Sequence, residues 1–202
     1  LRRQRRQKPR LKYEAKLENL SKVIATAADM LPTLVGLCEV ENEMVVKDLV
    51  NTNNLKPGNY DYVHYDSPDE RGIDVALLYN KKDFKVKSSK AIAVTLPGEK
   101  QDFTRDILMV NGEILINGKK EQLFVFVNHW PSRSEGEEVS APKRAAAATK
   151  LKEVVDSLNA KLDNPNIVIM GDFNDTPLDI SIQKILNAQA TADTYAEETL
   201  RL

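Results

Sequence analysis

Several short, nearly all-apolar runs constrain the fold of this chain more than any other feature. Residues 33–40 (TLVGLCEV) and 166–170 (NIVIM) are such runs, and the predicted strand 122–129 (QLFVFVNH) has a mostly apolar centre. Runs of this length are typical of β-strands covered on both faces, because a strand with one solvated face alternates apolar and polar residues. The remaining predicted strands are residues 60–66, 73–80, 84–94 and 105–110, with turns expected around Asn111-Gly112 and Asn117-Gly118.

Amphipathic helices are predicted between these strands. Residues 11–31 carry an apolar residue every three or four positions, from Leu17 to Leu31, and Pro32 is expected to end that helix. The other predicted helices are residues 43–51, a long helix with Ser140 as its N-cap and Pro142 in its first turn, and residues 179–189. This mixture predicts a layered α/β sandwich rather than a simple alternating parallel sheet.

The length and composition are those of one globular domain. The chain has 202 residues, of which 42% are hydrophobic and 29% charged. No apolar run reaches the roughly 18 to 20 residues of a membrane span, and no signal peptide is visible. The single cysteine, Cys38, excludes an internal disulfide and a cysteine-based zinc cluster. We expect a monomer, and the sequence leaves its compartment open, since an N-terminally processed chain is compatible with it.

Charge is distributed unevenly. Residues 1–12 (LRRQRRQKPRLK) contain seven Lys and Arg and no acid, which leaves 22 bases against 30 acids in residues 13–202. We therefore divide the chain into a basic N-terminal segment, 1–12, and a single domain, 13–202. The basic segment is either a solvated, partly disordered end or an electrostatic contact for phosphates. The acidic remainder argues against nucleic-acid binding by charge alone, but not against an enzyme whose metal supplies positive charge.

Polar residues follow three of the apolar strands, at the position where α/β proteins commonly place their sites. The first cluster is Glu39, with Glu41 and Asn42 after it. A carboxylate at the edge of a buried sheet has to be ion-paired, hydrogen-bonded or bound to a cation. Mg²⁺ is bound through one or two carboxylates and keeps several waters, so Glu39 is a candidate ligand. An ion pair with Lys or Arg is the alternative.

The second cluster is the sequence FVNHWPSR. His129 is the only histidine at a strand end, since His64 lies within an alternating strand and is interpreted as structural. A histidine can protonate or hydrogen-bond a phosphoryl oxygen near neutral pH, and the neighbouring Asn128 and Arg133 favour that role. Trp130 is either a packing residue or an aromatic wall.

The third cluster is GDFND. Asp172 and Asn174 are two residues apart, so in an extended segment their side chains point to the same side. A carboxylate and an amide placed in this way can orient a water and stabilise an oxyanion. The alternative is an ordinary turn, in which Asp and Asn bond to the local backbone.

Arg71, in ERGIDVAL, is a candidate at the start of a strand. It either contacts a phosphate with its forked donors or forms an ion pair with Asp69, Glu70 or Asp74. Weaker candidates of the same kind are Arg105 and Arg144.

In this order, the motifs GLCEVEN, RGIDVALLY, VNHWPSR and IVIMGDFNDTP resemble the endonuclease/exonuclease/phosphatase superfamily, which has the deoxyribonuclease I-like fold. They are most similar to its bacterial branch with EVEN and NHWPSR signatures, and the resemblance covers about residues 14 to 190. It implies an α/β (α+β) fold, a four-layer α/β/β/α sandwich with two mainly antiparallel central sheets. It also implies hydrolysis of a phosphoester by a metal-activated water, with Mg²⁺ or Mn²⁺ as the cofactor.

The resemblance further implies roles for individual residues. Glu39 matches the family's metal-binding Glu, and His129 matches the catalytic His that contacts the phosphate. Asp172 matches the residue that orients or deprotonates the attacking water, and Asn174 matches the amide that steadies the phosphate. The weaker candidates for contact with the substrate phosphate are Arg71, which stands where relatives are often basic, Asn128 and Arg133.

Two parts of the family pattern do not occur in the sequence: a first strand that ends in a metal-binding Asn, and a last strand with a Ser-Asp-His triplet. We therefore expect a fold without its first and last strands, whose exposed sheet edges put the activity of this chain alone in question. The predicted function is metal-dependent phosphoester hydrolysis, most nearly by a phosphodiesterase or nuclease acting on DNA or RNA. The alternatives are a phospholipid or small phosphate-ester phosphatase, and a non-catalytic binding module on the same fold.

Overall fold

The apolar runs form two β-sheets in a computed structural model of the chain, which describes residues 2–98, 104–116 and 118–189. The first sheet consists of β1 (Leu34–Val40), β2 (Tyr60–His64) and β3 (Asp74–Asn80) in the order β1–β3–β2, with both pairings antiparallel. The second sheet consists of β4 (Phe84–Ile92), β5 (Ile107–Ile116), β6 (Lys119–His129) and β7 (Asn166–Asp172), paired in chain order. In this sheet only the β6–β7 pair is parallel.

In the described residues, three helices accompany the sheets, namely α1 (Arg2–Ala25), α2 (Glu43–Val50) and α3 (Glu137–Lys161). A 3₁₀ turn lies at Lys56–Gly58 and a π-helical turn at Ser181–Ile185. Asn42 caps α2, since its side chain accepts a hydrogen bond from the backbone N–H of Val45 at 3.2 Å. Within the described ranges, no helix combines the length and the apolar character that crossing a membrane requires.

The described residues divide into two compact units. The first unit is formed by those of Leu1–Ala93, Phe103–His129 and Pro165–Asp172, and it contains both sheets with α1 and α2. The second unit is formed by those of Val94–Asp102, Trp130–Asn164 and Phe173–Leu202, and it contains α3 and the π-helical turn.

β3 separates two apolar clusters in the first unit. Its residues Ala76 and Leu78 face a cluster with α1 and α2 residues such as Ile24 and Leu49. The alternate residues, Val75 and Leu77, face a cluster built with the second sheet, whose other buried members are Phe84, Leu108, Val110, Leu123, Val125 and Val127. The pleat of a strand directs successive side chains to opposite faces, so β3 holds together a helical layer and two sheets. The predicted α/β fold is therefore confirmed.

The predicted bounds of the first helix were wrong. α1 ends at Ala25, well before Pro32, and its backbone continues to Arg2 through the basic segment 1–12. Leu31 packs against the same cluster as the helix but from the turn that follows it. Leu31 lies at the three- to four-residue spacing of the apolar helix residues although it is not helical, so the sequence predicted a helix that is too long. The division of the chain at residue 12 stays a prediction.

The turn predicted at Asn111-Gly112 was also wrong, because β5 continues to Ile116. Gly112 is paired with Val86 of β4 in the antiparallel ladder. A Cβ atom at Gly112 would lie 2.2 Å from Cζ of Phe84. The glycine is therefore required by the approach of an aromatic ring and not by a turn. Asn117 lies outside the described residues.

Helix α3 begins one turn earlier than predicted. Its N-cap is Gly136 rather than Ser140. The Ser140 hydroxyl instead donates to the backbone oxygen of Gly136 at 2.6 Å, within the first turn, and Pro142 lies inside the helix. The helix predicted at 179–189 is limited to the π-helical turn Ser181–Ile185.

We predict that Gly112→Ala destabilises the protein by about 1–3 kcal/mol, because the added methyl group overpacks the ring of Phe84. Urea denaturation followed by circular dichroism measures this change. The matched background is Phe84→Leu, in which the added methyl group has more room. If Gly112→Ala costs as much in that background as in the wild type, contact with Phe84 is not the cause.

Candidate active site

The parallel pairing of β6 with β7 brings two predicted site residues to the same sheet edge. His129 and Asp172 are the last aligned pair of this ladder. Parallel strands begin and end at corresponding edges, so residues at their carboxyl ends become neighbours. The imidazole Nε2 of His129 lies 3.9 Å from Oδ2 of Asp172. The structure thus joins two residues that are 43 positions apart in the sequence.

Close packing just before this pair fixes its position. Gly171 has φ of 134°, and a Cβ atom there would lie 1.9 Å from the backbone oxygen of Asn128, so a larger residue would separate the strands. The buried amide of Asn128 donates to the backbone oxygen of Met170 at 3.3 Å. The predicted contact between Asn128 and a substrate phosphate is therefore less favoured by this geometry than a structural role between β6 and β7.

Glu39 lies near the end of β1 in an unusual backbone conformation. Its φ is 58°, in the left-handed region that non-glycine residues rarely occupy. The β1–β3 register shifts between Leu37 and Val40, so Glu39 lies in a bulge. Such a conformation costs on the order of 1–3 kcal/mol and is concentrated at functional sites. The result is a carboxylate that is 58% exposed at the end of a buried strand.

The partner of Glu39 is Arg71. Nη2 of Arg71 donates to Oε1 of Glu39 at 3.0 Å, and both side chains are 58% exposed. An ion pair was the alternative to a cation for Glu39 and the alternative to a phosphate contact for Arg71, whose expected partners were Asp69, Glu70 or Asp74. An exposed pair of this kind contributes at most about 1 kcal/mol, so both groups can exchange it for other partners.

The side chain of His129 is far more enclosed than those of Glu39, Arg71 and Asp172. Its side chain is 5% exposed, and its Nδ1 is buried without a hydrogen-bond partner among the described residues. Burial lowers the pKa of His129, and the positive charge of Arg105 lowers it further. The carboxylates of Asp172 and Glu39 act in the opposite direction, and Arg71 adds a smaller lowering effect. At neutral pH the imidazole is therefore expected to be uncharged.

A buried ion pair between Arg105 and Asp69 was missed as part of the site. Nη1 of Arg105 donates to Oδ2 of Asp69 at 2.8 Å, and Nε of Arg105 donates to the backbone oxygen of His129 at 3.1 Å. In the sequence, Asp69 lies shortly before β3 and Arg105 shortly before β5. Local sequence patterns do not show whether such charged residues are buried or exposed.

Asn174 and Trp130 belong to the second unit. Nδ2 of Asn174 donates to the backbone oxygen of Trp130 at 3.0 Å, and Asn174 has a left-handed φ of 51°. Trp130 is buried and packs edge-on against Phe173, with ring centroids 4.9 Å apart. Of the two interpretations of Trp130, the structure favours packing. The role predicted for the Asn174 amide stays a prediction.

Arg133 and Arg144 hold the segment that follows β7. Arg133 donates to Asp175 at 2.8 Å, to Asp179 at 2.6 Å and to the backbone oxygen of Asn174 at 2.8 Å. Arg144 is buried and bonds to Asp175, Ser140 and Glu137. With so many acidic partners, both arginines are better suited to organising this segment than to the substrate contact predicted for Arg133.

His64 forms a buried pair that fits its structural interpretation. Its Nε2 lies 3.0 Å from Oδ2 of Asp74, while Oδ1 of Asp74 accepts hydrogen bonds from the backbone and hydroxyl of Ser67. His64, Asp66 and Asp74 have ligand atoms within 4.8 Å of one another, so they are a possible second location for a cation. Both Asp74 oxygens already take part in hydrogen bonds. The metal ligation predicted for Glu39 stays a prediction.

Comparison with known proteins identifies the family. The profile of the endonuclease/exonuclease/phosphatase family matches residues 2–200. The chain therefore belongs to this family. Membership supports phosphoester hydrolysis as the general class of chemistry. A search of curated protein sequences finds no significant match.

Several solved structures share the fold. The catalytic domain of human nocturnin with bound sulfate matches with a TM-score of 0.65 and 18% identity, over 93% of this chain and 67% of that one. D. rerio TDP2 complexed with a single-strand DNA product gives 0.55 and 17%, over 84% and 56%. Bacteroides thetaiotaomicron mannosyl-6-phosphatase gives 0.59 and 17%, over 87% and 62%. These similarities show the deoxyribonuclease I-like fold, and this chain spans between about half and two thirds of their lengths.

We predict that His129 titrates below the ordinary histidine value of about 6.5, since burial and Arg105 disfavour the imidazolium. Asp172→Asn should lower the midpoint further, because it removes a carboxylate that favours the charged ring. NMR titration of the two histidines measures both effects, with His64 as the internal control. A midpoint that rises in Asp172→Asn would contradict this electrostatic description.

Proposed function

We propose that this chain carries the catalytic site of a metal-dependent phosphodiesterase that acts on nucleic acid. The observation that carries the proposal is the juxtaposition of His129 and Asp172 at the ends of paired strands, 3.9 Å apart. Glu39 and Arg71 are near enough to influence the same imidazole. One edge of the first unit thus presents a histidine, two carboxylates and an arginine, a set suited to phosphoryl transfer.

The chemistry proposed for these residues is hydrolysis. Asp172, whose side chain is 56% exposed, orients a water molecule and accepts its proton as the water attacks phosphorus. The bond from phosphorus to the leaving oxygen breaks, the leaving alkoxide takes a proton from solvent to become the alcohol, and Asp172 returns its proton to solvent. His129 donates a hydrogen bond to a non-bridging oxygen. Arg71 contacts the phosphate with its forked donors.

The donors of the site fit a hard divalent cation. Glu39 offers an exposed carboxylate, the ligand type that Mg²⁺ and Mn²⁺ prefer, and the bulge holds it clear of the sheet. When bound, such an ion neutralises charge on the phosphate and polarises it toward attack. Metal dependence is thus part of the proposal and rests on this carboxylate.

Nucleic acid is the proposed substrate class, and the basic run in residues 1–12 supports it. The similarity to TDP2 bound to a single-strand DNA product points in the same direction. A small phosphate ester is the second candidate, because mannosyl-6-phosphatase shares the fold. Fold alone does not choose between them.

We predict that excess EDTA abolishes hydrolysis of bis-p-nitrophenyl phosphate and that added Mn²⁺ or Mg²⁺ restores it. His129→Ala should reduce the rate about a hundredfold or more, as loss of a catalytic histidine does. His64→Gln is the matched control, since it removes the other imidazole from a buried pair.

Three results would contradict this prediction. They are full activity in EDTA, an unchanged rate in His129→Ala, and metal-dependent activity that is lost in His64→Gln but retained in Glu39→Gln. The last result would place the cation at His64, Asp66 and Asp74 instead. A chain that binds oligonucleotides without hydrolysing any ester would support the non-catalytic binding module.

Salt dependence distinguishes the two substrate classes. If about four phosphates are contacted, oligonucleotide affinity should fall on the order of a hundredfold between about 50 and 200 mM salt. Turnover of p-nitrophenyl phosphate, a small monoester, should change little over that range. Fluorescence anisotropy and initial rates provide the two measurements, and a flat oligonucleotide response would favour the small ester.

A further inference from the structure

Arg105 is a buried cation beside His129 in the first unit. Its side chain is 7% exposed and that of Asp69 is 3% exposed. Taking a guanidinium out of water is unfavourable unless it is paired and well hydrogen-bonded. The 2.8 Å contact with Asp69 and the 3.1 Å contact with the backbone oxygen of His129 provide that pairing. The planar fork of an arginine can serve two acceptors at once, which the ammonium of a lysine does less well.

Asp69 in turn holds the loop that carries Arg71. Its Oδ1 accepts a hydrogen bond from the backbone N–H of Arg71 at 3.0 Å, and its backbone oxygen accepts one from Gly72 at 2.9 Å. One carboxylate therefore uses one oxygen for the buried Arg105 and the other for the turn. The direction in which the Arg71 side chain leaves the backbone depends on that turn.

Arg105 thus connects two proposed catalytic elements, one in the second sheet and one in a loop that leads into the first sheet. One is the end of β6 with His129, and the other is the loop before β3 with Arg71. Arg105 itself is buried, so it acts on the reaction through these neighbours. Displacing a catalytic group by about 1 Å can reduce a rate by about a hundredfold, so such a connection has a measurable effect.

We propose that Arg105 is a positioning residue that, through Asp69, fixes the placement of Arg71 relative to His129. This proposal rests on the proposed function for its kinetic consequences. Its structural content, a shared support for the two elements, is independent of any activity.

The kinetic test is a double-mutant cycle on bis-p-nitrophenyl phosphate hydrolysis with Arg105→Gln and Arg71→Ala. Arg105→Gln alone should lower kcat/KM about a hundredfold. Arg71→Ala should lower kcat/KM roughly tenfold in the wild type, the value of a charge-assisted hydrogen bond. In the Arg105→Gln background the same change should cost less than about twofold, because Arg71 is already misplaced.

The structural test uses histidine NMR, which is simple because the sequence contains two histidines. In Arg105→Gln the ring signals of His129 should shift and its pKa should rise, since the positive charge of Arg105 helps to lower that pKa in the wild type. Glu39 and Asp172 keep their charges in this variant, and displacement of Arg71 away from the ring would raise the pKa of His129 further, because the charge of Arg71 also lowers it. The signals of His64, paired with Asp74, should stay in place.

Leu55→Ala is the stability control, because it opens a cavity in the α1–α2 cluster away from the proposed site. It should lower the unfolding midpoint and leave kcat/KM and the His129 signals unchanged. If Arg105→Gln does not fold, Arg105→Lys takes its place. Because it lacks the fork, the same kinetic results and a shift of the His129 signals are expected, but because it keeps the charge, no rise in the pKa of His129 is expected.

Three results would overturn the proposal. They are an Arg71→Ala effect of equal size in both backgrounds, His129 signals that do not respond to Arg105, and a loss of kcat/KM in Leu55→Ala as large as that in Arg105→Gln. A wild-type chain that hydrolyses no ester would refute the proposed function alone, since the NMR comparison would still decide the role of Arg105.

Discussion

The parallel pairing of β6 with β7 is the constraint on which the candidate site depends. It is the only parallel ladder among the described strands, and it ends at His129 and Asp172. An antiparallel β7 would place these residues at opposite edges of the sheet. The long α3 segment lies between the two strands in sequence, as a parallel connection requires.

Unusual backbone conformations recur where the strands of the site end. Glu39 and Asn174 adopt left-handed φ values, and Gly171 has a φ that is open mainly to glycine. Each lies beside or within a motif that the sequence singled out. A regular strand would direct these side chains alternately along the sheet. The departures from regularity place functional groups at the strand ends instead, at a conformational cost that the surrounding packing has to offset.

The strands and the site motifs were accessible from sequence because both depend on short patterns. An apolar run predicts a buried strand, and a polar residue after it predicts an exposed group at the sheet edge. The pairing of Arg71 with Glu39 was not predictable, since it joins residues 32 positions apart through a bulge. The Arg105–Asp69 pair was missed for the same reason. The end of α1 was mispredicted because Leu31 makes a tertiary contact with the same apolar cluster as the helix. The start of α3 was mispredicted because the Ser140 hydroxyl bonds to Gly136 inside a helix that begins one turn earlier.

The residues proposed for catalysis come from both sheets of the first unit: Glu39 from the first sheet, and His129 and Asp172 from the second. Their separation is therefore set by the apolar cluster between the sheets, in which Leu77 of one sheet packs with Val125 of the other. Changes of side-chain volume in this cluster would alter the distance between the proposed catalytic groups without any direct contact with them. Under the proposed function, these core positions are constrained by turnover as well as by folding, so compensating pairs of core substitutions are expected among relatives with that activity.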